Sequence, residues 1–295
     1  MGKRSGLLAP LPRDARLMVP VLAATGGAGR STVSYLLAAE LAHAADTVVL
    51  DTGPRLASPW PGWVGEPGGG LSALPPAQPL SRGAVRAACA VMGGPVPWQA
   101  LTDVREWTAQ PLDLPSEPAA WHQLAAVGGW QAAVVDSVFP LAQDLLTARC
   151  AGTTGRARGW FEVPYAVPVL CAAASAEGVQ ALQQAVMAMS AEGLALHRAV
   201  AALVATGEGR PPAVVRAAAT MLSGRTAAVV HLPCDSGVRG SGLRAGRVQP
   251  RTQQAAAQLA AAVLSTAHDA WGDPLPAAAQ PVPLAASSVP LPFPA

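Results

Sequence analysis

Short apolar runs at residues 17–24, 47–50, 98–102, 132–135, 167–172, 199–204 and 226–232 alternate with stretches of helical periodicity. This alternation constrains the fold more than any other feature of the chain. Most of the runs are continuous rather than alternating in polarity, the pattern of strands covered on both faces. The helical stretches fall at 31–45, 81–92, 121–127, 176–191, 212–222 and 252–267. Such alternation predicts an α/β fold: a doubly wound, mainly parallel sheet with helices on both faces. Ligands are then expected at the carboxyl ends of its strands.

With 295 residues, the chain has length for one large α/β domain or two small ones. The pattern divides it into an N-terminal extension (1–16), a main domain (17–268) and a Pro/Ala-rich tail (269–295), expected to be disordered. Within the main domain, residues 54–80 (PRLASPWPGWVGEPGGGLSALPPAQPL) break the alternation and read as an irregular insertion or lid. No apolar run reaches the roughly 18 residues a membrane-spanning helix needs, and the first residues lack a signal-length apolar segment. The expectation is a soluble, cytoplasmic protein. Cys89, Cys150, Cys171 and Cys234 lie far apart in sequence, which argues for reduced buried thiols rather than a disulfide framework or metal cluster. A net charge of +2 gives no global field toward nucleic acid or acidic lipid.

One loop interrupts this plain picture. In AATGGAGRSTVSYLL (23–37) an apolar strand runs into Gly26, Gly27, Ala28 and Gly29, then Arg30, Ser31 and Thr32, then a helix. Glycines between a strand and a helix let backbone amides turn inward as an anion nest, and the helix start adds partial positive charge. Arg30 supplies a cation toward a phosphate chain, and Ser31 a hydroxyl for Mg²⁺. Asp51 ends the second apolar run and Asp136 the fourth. A carboxylate at the same sheet edge as such a loop is placed to hold Mg²⁺, in part through water, or to orient an attacking water. The plainer readings are a glycine-rich packing turn and two strand-end caps.

The order and spacing of four motifs resemble the ParA/MinD family of deviant phosphate-loop ATPases, across about residues 17 to 267. TGGAGRST (25–32) resembles that family's loop, VVLDTGPR (48–55) its second-strand motif with the catalytic aspartate, VVDSVFP (134–140) its Walker B strand, and VVHLPCDSG (229–237) a late strand beside the base. The resemblance implies ATP and Mg²⁺ as cofactors and Asp51 as the catalytic carboxylate. It also implies Pro233 and Asp235 as base or ribose contacts, a homodimer, and a protein partner in a membrane- or chromosome-associated machine. Two departures bear on catalysis. The family's signature lysine is Thr25 here, and its standard loop lysine is Arg30; Lys3 is the chain's only lysine among 20 basic residues. The family's adenine-reading asparagine is missing from ALVATGEGR (202–210). The expectation is a degenerate member that binds nucleotide but hydrolyses it poorly or not at all. An active partitioning ATPase and a small-molecule synthetase on the same fold are the alternatives.

Two further features stay open on sequence grounds. Arg239, Arg244, Arg247 and Arg251 lie in a glycine-rich stretch, SGVRGSGLRAGRVQPR (236–251), and could meet DNA phosphates nonspecifically, although a solvated loop is the plainer reading. Trp60, Trp63, Trp107, Trp121 and Trp130 lie in or near the insertion and the sheet, where core or lid packing is expected.

Overall fold

The computed structural model of the chain describes residues 8–74, 80–245 and 247–281. Its centre is one eight-stranded sheet in the order β3-β4-β2-β5-β1-β6-β7-β8. The strands are β1 (Leu17–Ala23), β2 (Thr47–Asp51), β3 (Ala90–Met92), β4 (Trp98–Leu101), β5 (Ala132–Asp136), β6 (Val169–Ala173), β7 (Val200–Val204) and β8 (Ala228–Leu232). All pairings are parallel except β3 with β4. The doubly wound, mainly parallel sheet expected from the apolar runs is the observed one.

Helices cover both faces, which is why the central strands lack polar alternation. On one face lie α1 (Arg30–Leu41) and α10 (Pro250–Trp271), together with α2 (Trp60–Trp63) and α9 (Ser236–Ala245). On the other lie α3 (Arg82–Ala88), α4 (Pro118–Gly128), α5 (Leu141–Ala151), α6 (Arg156–Glu162), α7 (Ala176–Ala191) and α8 (Ala213–Ser223). Along β1, Leu17, Val19, Val21 and Ala23 face the first layer while Met18 and Leu22 face the second, and every residue of the strand is buried. Each such leucine or valine contributes about 1.5–3 kcal/mol by leaving water.

Several boundaries differ from the sequence pattern. The helix expected over 81–92 stops at Ala88. Cys89 turns extended (φ −78°, ψ 147°), and the next residues pair antiparallel with β4, alternating buried–exposed–buried. The pattern assigns nothing between residues 136 and 167, where α5 and α6 form. The glycine-rich arginine stretch is not a loop but begins as α9, a helix broken at Gly242 (φ 69°, ψ 176°). The last helix continues to Trp271 and ends where Gly272 adopts φ 97°.

The segment expected to be a disordered tail starts by packing. Leu275 is buried, and the Ala278 amide donates to the Asp14 carbonyl at 2.9 Å. Residues 282–295 of that expected tail, and 1–7 of the N-terminal extension, lie outside the described residues. The insertion is likewise anchored: Trp60 is fully buried, and Leu71 is buried against the second layer. Among the described residues, no helix is long and apolar enough to cross a membrane.

Candidate functional site

β1 runs out into the glycine loop at the carboxyl edge of the sheet, between β5 and β6, where the chain changes winding direction. Gly27 (φ 72°) and Gly29 (φ 77°) take the left-handed conformation that turns the loop back onto α1. A Cβ on Gly29 would stand 3.0 Å from the Val204 Cγ1, whereas Gly26 and Gly27 face open space. Gly29 caps α1 without a side chain, so no capping oxygen competes for the first-turn amides. Ala28 is buried, Thr25 is exposed, and Ser31 and Thr32 are half-buried in the first turn. Beneath the loop, the Cys171 thiol donates to the Ala28 carbonyl at 3.0 Å, and burial pushes that thiol up to about 12.

The two strand-end aspartates are direct register partners on β2 and β5. Both are buried, Asp51 at 2% and Asp136 at 1% exposure. Asp136 Oδ1 accepts from Arg30 Nε, and its Oδ2 accepts from the Trp60 indole N–H at 2.7 Å. Asp51 Oδ1 accepts from the Gly53 amide at 3.0 Å. Its Oδ2 accepts from the Ser58 hydroxyl at 2.7 Å and the Thr102 hydroxyl at 2.6 Å. Burial raises the Asp51 carboxyl to about 7, against the pull of the Thr102 and Ser58 hydroxyls and with a smaller push from Asp136. Thus the structure brings Arg30, Asp51 and Asp136 together at one sheet edge, but both carboxylates already accept from protein donors, Arg30 among them.

Four of the residues around them were not singled out as site residues by sequence: Trp60, Ser58, Thr102 and Cys171. Trp60 and Ser58 come from the insertion that follows Asp51 directly, and Thr102 is the polar residue closing the apolar run 98–102. Those two placements were the only available signals. For Cys171, inside an apolar strand, there was none.

On the other side of the loop lies a cavity of about 360 Å³ lined by Gly27, Gly29, Thr32, Pro233, Asp235 and Arg239 among others. Pro233 and Asp235 are therefore brought beside the loop. Asp235 is nevertheless a loop staple: Oδ1 accepts from the Gly237 and Val238 amides, and Oδ2 from the Gln249 amide at 2.8 Å. Burial pushes its carboxyl up, but these backbone donors more than offset that and hold it below the usual carboxylate range. Arg251 turns back to donate to the Cys234 carbonyl at 2.8 Å, while Arg239, Arg244 and Arg247 are exposed. A larger cavity, about 650 Å³, sits at the opposite, amino edge of the sheet, near His197, Arg198, Asp269 and Trp271. It contains neither the loop nor the paired carboxylates, so the smaller cavity is the one relevant to the site.

No family model and no curated protein matches the chain by sequence. By structure it is similar to apo McdA of Cyanothece, with TM-score 0.51 and 14% identity over 85% of this chain and 99% of that one. It is also similar to the cell division ATPase MinD of Pyrococcus furiosus, with TM-score 0.52 and 17% identity over 84% and 98%. A plasmid partition protein of Borrelia burgdorferi B31, solved with AMPPNP, gives TM-score 0.50 and 10% identity over 85% and 98%. The chain has the ParA/MinD fold.

The residues of this ParA/MinD fold fit the two halves of a Mg-nucleotide unequally. The open face at Gly26 and Gly27, the uncapped start of α1 and the adjoining cavity fit a polyphosphate with its nucleoside. Asp136 meets a hydrated cation only once Arg30 moves off Oδ1, because almost none of the group is exposed and Trp60 holds its other oxygen.

Proposed function

We propose that the chain is a ParA/MinD-like ATP-binding protein with impaired hydrolysis, acting as a positioning or assembly factor for partition, septum, secretion, pilus or conjugation machinery. In this reading the amides of residues 26–32 grip the phosphates, Arg30 neutralises them, and Ser31, Asp51 and Asp136 serve Mg²⁺. Mg-ATP supplies the γ-phosphoryl group whose loss would switch the protein between states. A second copy of the chain and a protein of the machine are its partners. Arg239, Arg244 and Arg247 would supply any nonspecific DNA contact.

The observation that carries the reading is the state of the loop's cations. Arg30 stands where a lysine would meet the β- and γ-phosphates, but it is a wider, planar group and its Nε donates to Asp136 Oδ1. Thr25, at the position of the lysine that would reach a partner's phosphates, is short, uncharged and exposed. Backbone amides still bind phosphate without these groups. Turnover, in contrast, loses a cation placed against the γ-phosphate, worth about 10³-fold or more in related chemistry. Calorimetric titration with Mg-ATP should show weak binding, and phosphate release should be negligible. Thr25→Lys combined with Arg30→Lys should raise release. Robust turnover by the native chain would overturn the impaired reading, and absence of binding in both forms would leave the loop a relic.

A further inference from the structure

We propose that Trp60 is a positioning residue for Asp136, the fixed half of a two-donor shell in which Arg30 is the exchangeable half. The inference rests on the nucleotide-binding reading and deepens it. Trp60 comes from the insertion, yet its ring is 0% exposed. It stacks on Tyr35 of α1 with centroids 6.3 Å apart, meets Trp63 at 5.2 Å, and lies edge-on to Trp98 of β4 at 6.1 Å. Tyr35 itself packs edge-on against Trp98 at 5.1 Å. A ring held from α1, α2 and β4 together has little freedom to move. Its one polar atom is spent on Asp136 Oδ2. Arg30, at 18% side-chain exposure, reaches Oδ1 from the first residue of α1, beside the open glycine cradle.

The two donors therefore answer an anion differently. Negative charge in the cradle attracts the guanidinium, whose long side chain can swing, and has no hold on a neutral indole buried in an aromatic cluster. When Arg30 leaves, Asp136 would be a buried carboxylate short of a donor, a costly state. Trp60 keeps that carboxylate in place and satisfied on one oxygen, so that the vacated Oδ1 faces the loop.

Two measurements on the full chain test this. The indole N–H of Trp60 (assigned with Trp60→Phe) and the Nε–H of Arg30 (assigned with Arg30→Lys) are followed by ¹⁵N NMR as Mg-AMPPNP is added. Arg30 should shift, while Trp60 stays slow to exchange and nearly unshifted. In parallel, AMPPNP affinity is measured with Mg²⁺ and with EDTA. Trp60→Phe keeps an aromatic ring in the cluster but removes the donor together with part of the indole volume, so affinity in EDTA is the check that the loop itself is undisturbed. The factor by which Mg²⁺ strengthens binding should fall about tenfold, the size of one hydrogen bond to a charged group, with affinity in EDTA unchanged. An equal magnesium factor in both proteins, or a Trp60 resonance that moves together with that of Arg30, would overturn the proposal. If Trp60→Phe fails to fold, the indole N–H is assigned instead from its nuclear Overhauser contacts with the neighbouring Tyr35 ring, and the wild-type resonances decide. Failure of the native chain to bind AMPPNP in either buffer would instead remove the nucleotide reading, and this inference with it.

Discussion

Asp103→Asn probes how the insertion is fastened next to the site. The guanidinium of Arg55, 9% exposed, donates to Asp103 Oδ2 at 2.9 Å and to the carbonyls of Trp107 (3.2 Å) and Ala109 (2.6 Å). Asp103, 2% exposed, also takes Arg105 at 2.8 Å on each of its oxygens. Arg55 Nε is buried without a partner, so Asp103 is the only anion paired with this buried cation among the described residues. The amide would keep the shape but remove that charge and present N–H groups to a donor. Removing one member of a buried pair costs about 3–5 kcal/mol. With a urea slope of about 3 kcal/mol/M, the midpoint should fall by about 1 M or more. Urea unfolding followed by circular dichroism reads it. Glu162→Gln, which breaks the exposed pair with Arg158, is the control and should cost under about 1 kcal/mol. Replacing the buried pair as Arg55→Met with Asp103→Leu should recover part of the loss, since no buried charge is then left uncompensated and Arg105, with 26% side-chain exposure, can turn to water. A cost for Asp103→Asn no larger than that of the control would refute the reasoning, because Arg55 would then have been satisfied by the two carbonyls alone.

The same group sets an acid limit. The hydrogen bond from Arg105 comes first among the causes holding the Asp103 carboxyl below its usual range, so its stabilisation is present above about pH 4. It is lost as pH falls through the depressed folded value, and acid unfolding of Asp103→Asn should show a flatter limb there. Gly29→Ala should cost about 1–2 kcal/mol for a left-handed alanine and more for the Cβ pressed against Val204 at 3.0 Å; calorimetry should show both a lower Tm and lost nucleotide binding, whereas Gly26→Ala, facing open space, should barely move Tm. Leu275→Ala should cost about 2–4 kcal/mol in a denaturant titration, because this residue is 4% exposed in the first-layer core; a loss below about 0.5 kcal/mol would mean that the segment past α10 is not docked in solution.

Sequence alone determined the class of fold and the edge at which the site sits. Continuous apolar runs can be satisfied only by layers on both faces, and glycines between a strand and a helix free the backbone to turn there, so β1, β2, β5 and the loop were legible from local pattern. The two aspartates were legible because strand ends in a parallel sheet share an edge. What surrounds them was not. That Trp60, 76 residues before Asp136 in the chain, donates to it depends on how the insertion folds back over α1, a long-range choice made by aromatic packing with no local period. Thr102 meets an oxygen of Asp51 because β4 lies next to β2, and strand order is not written in any one strand; Ser58 reaches the same oxygen from the folded insertion. Asp235 could be placed beside the loop by its motif, but whether its oxygens were free depended on the Gly237 and Val238 amides and on the Gln249 amide just before α10. Residue types and their spacing are properties of the chain; the partner of a buried polar atom is a property of the packed whole, settled by which distant donors the sheet order and the helix layers bring within 3 Å or so.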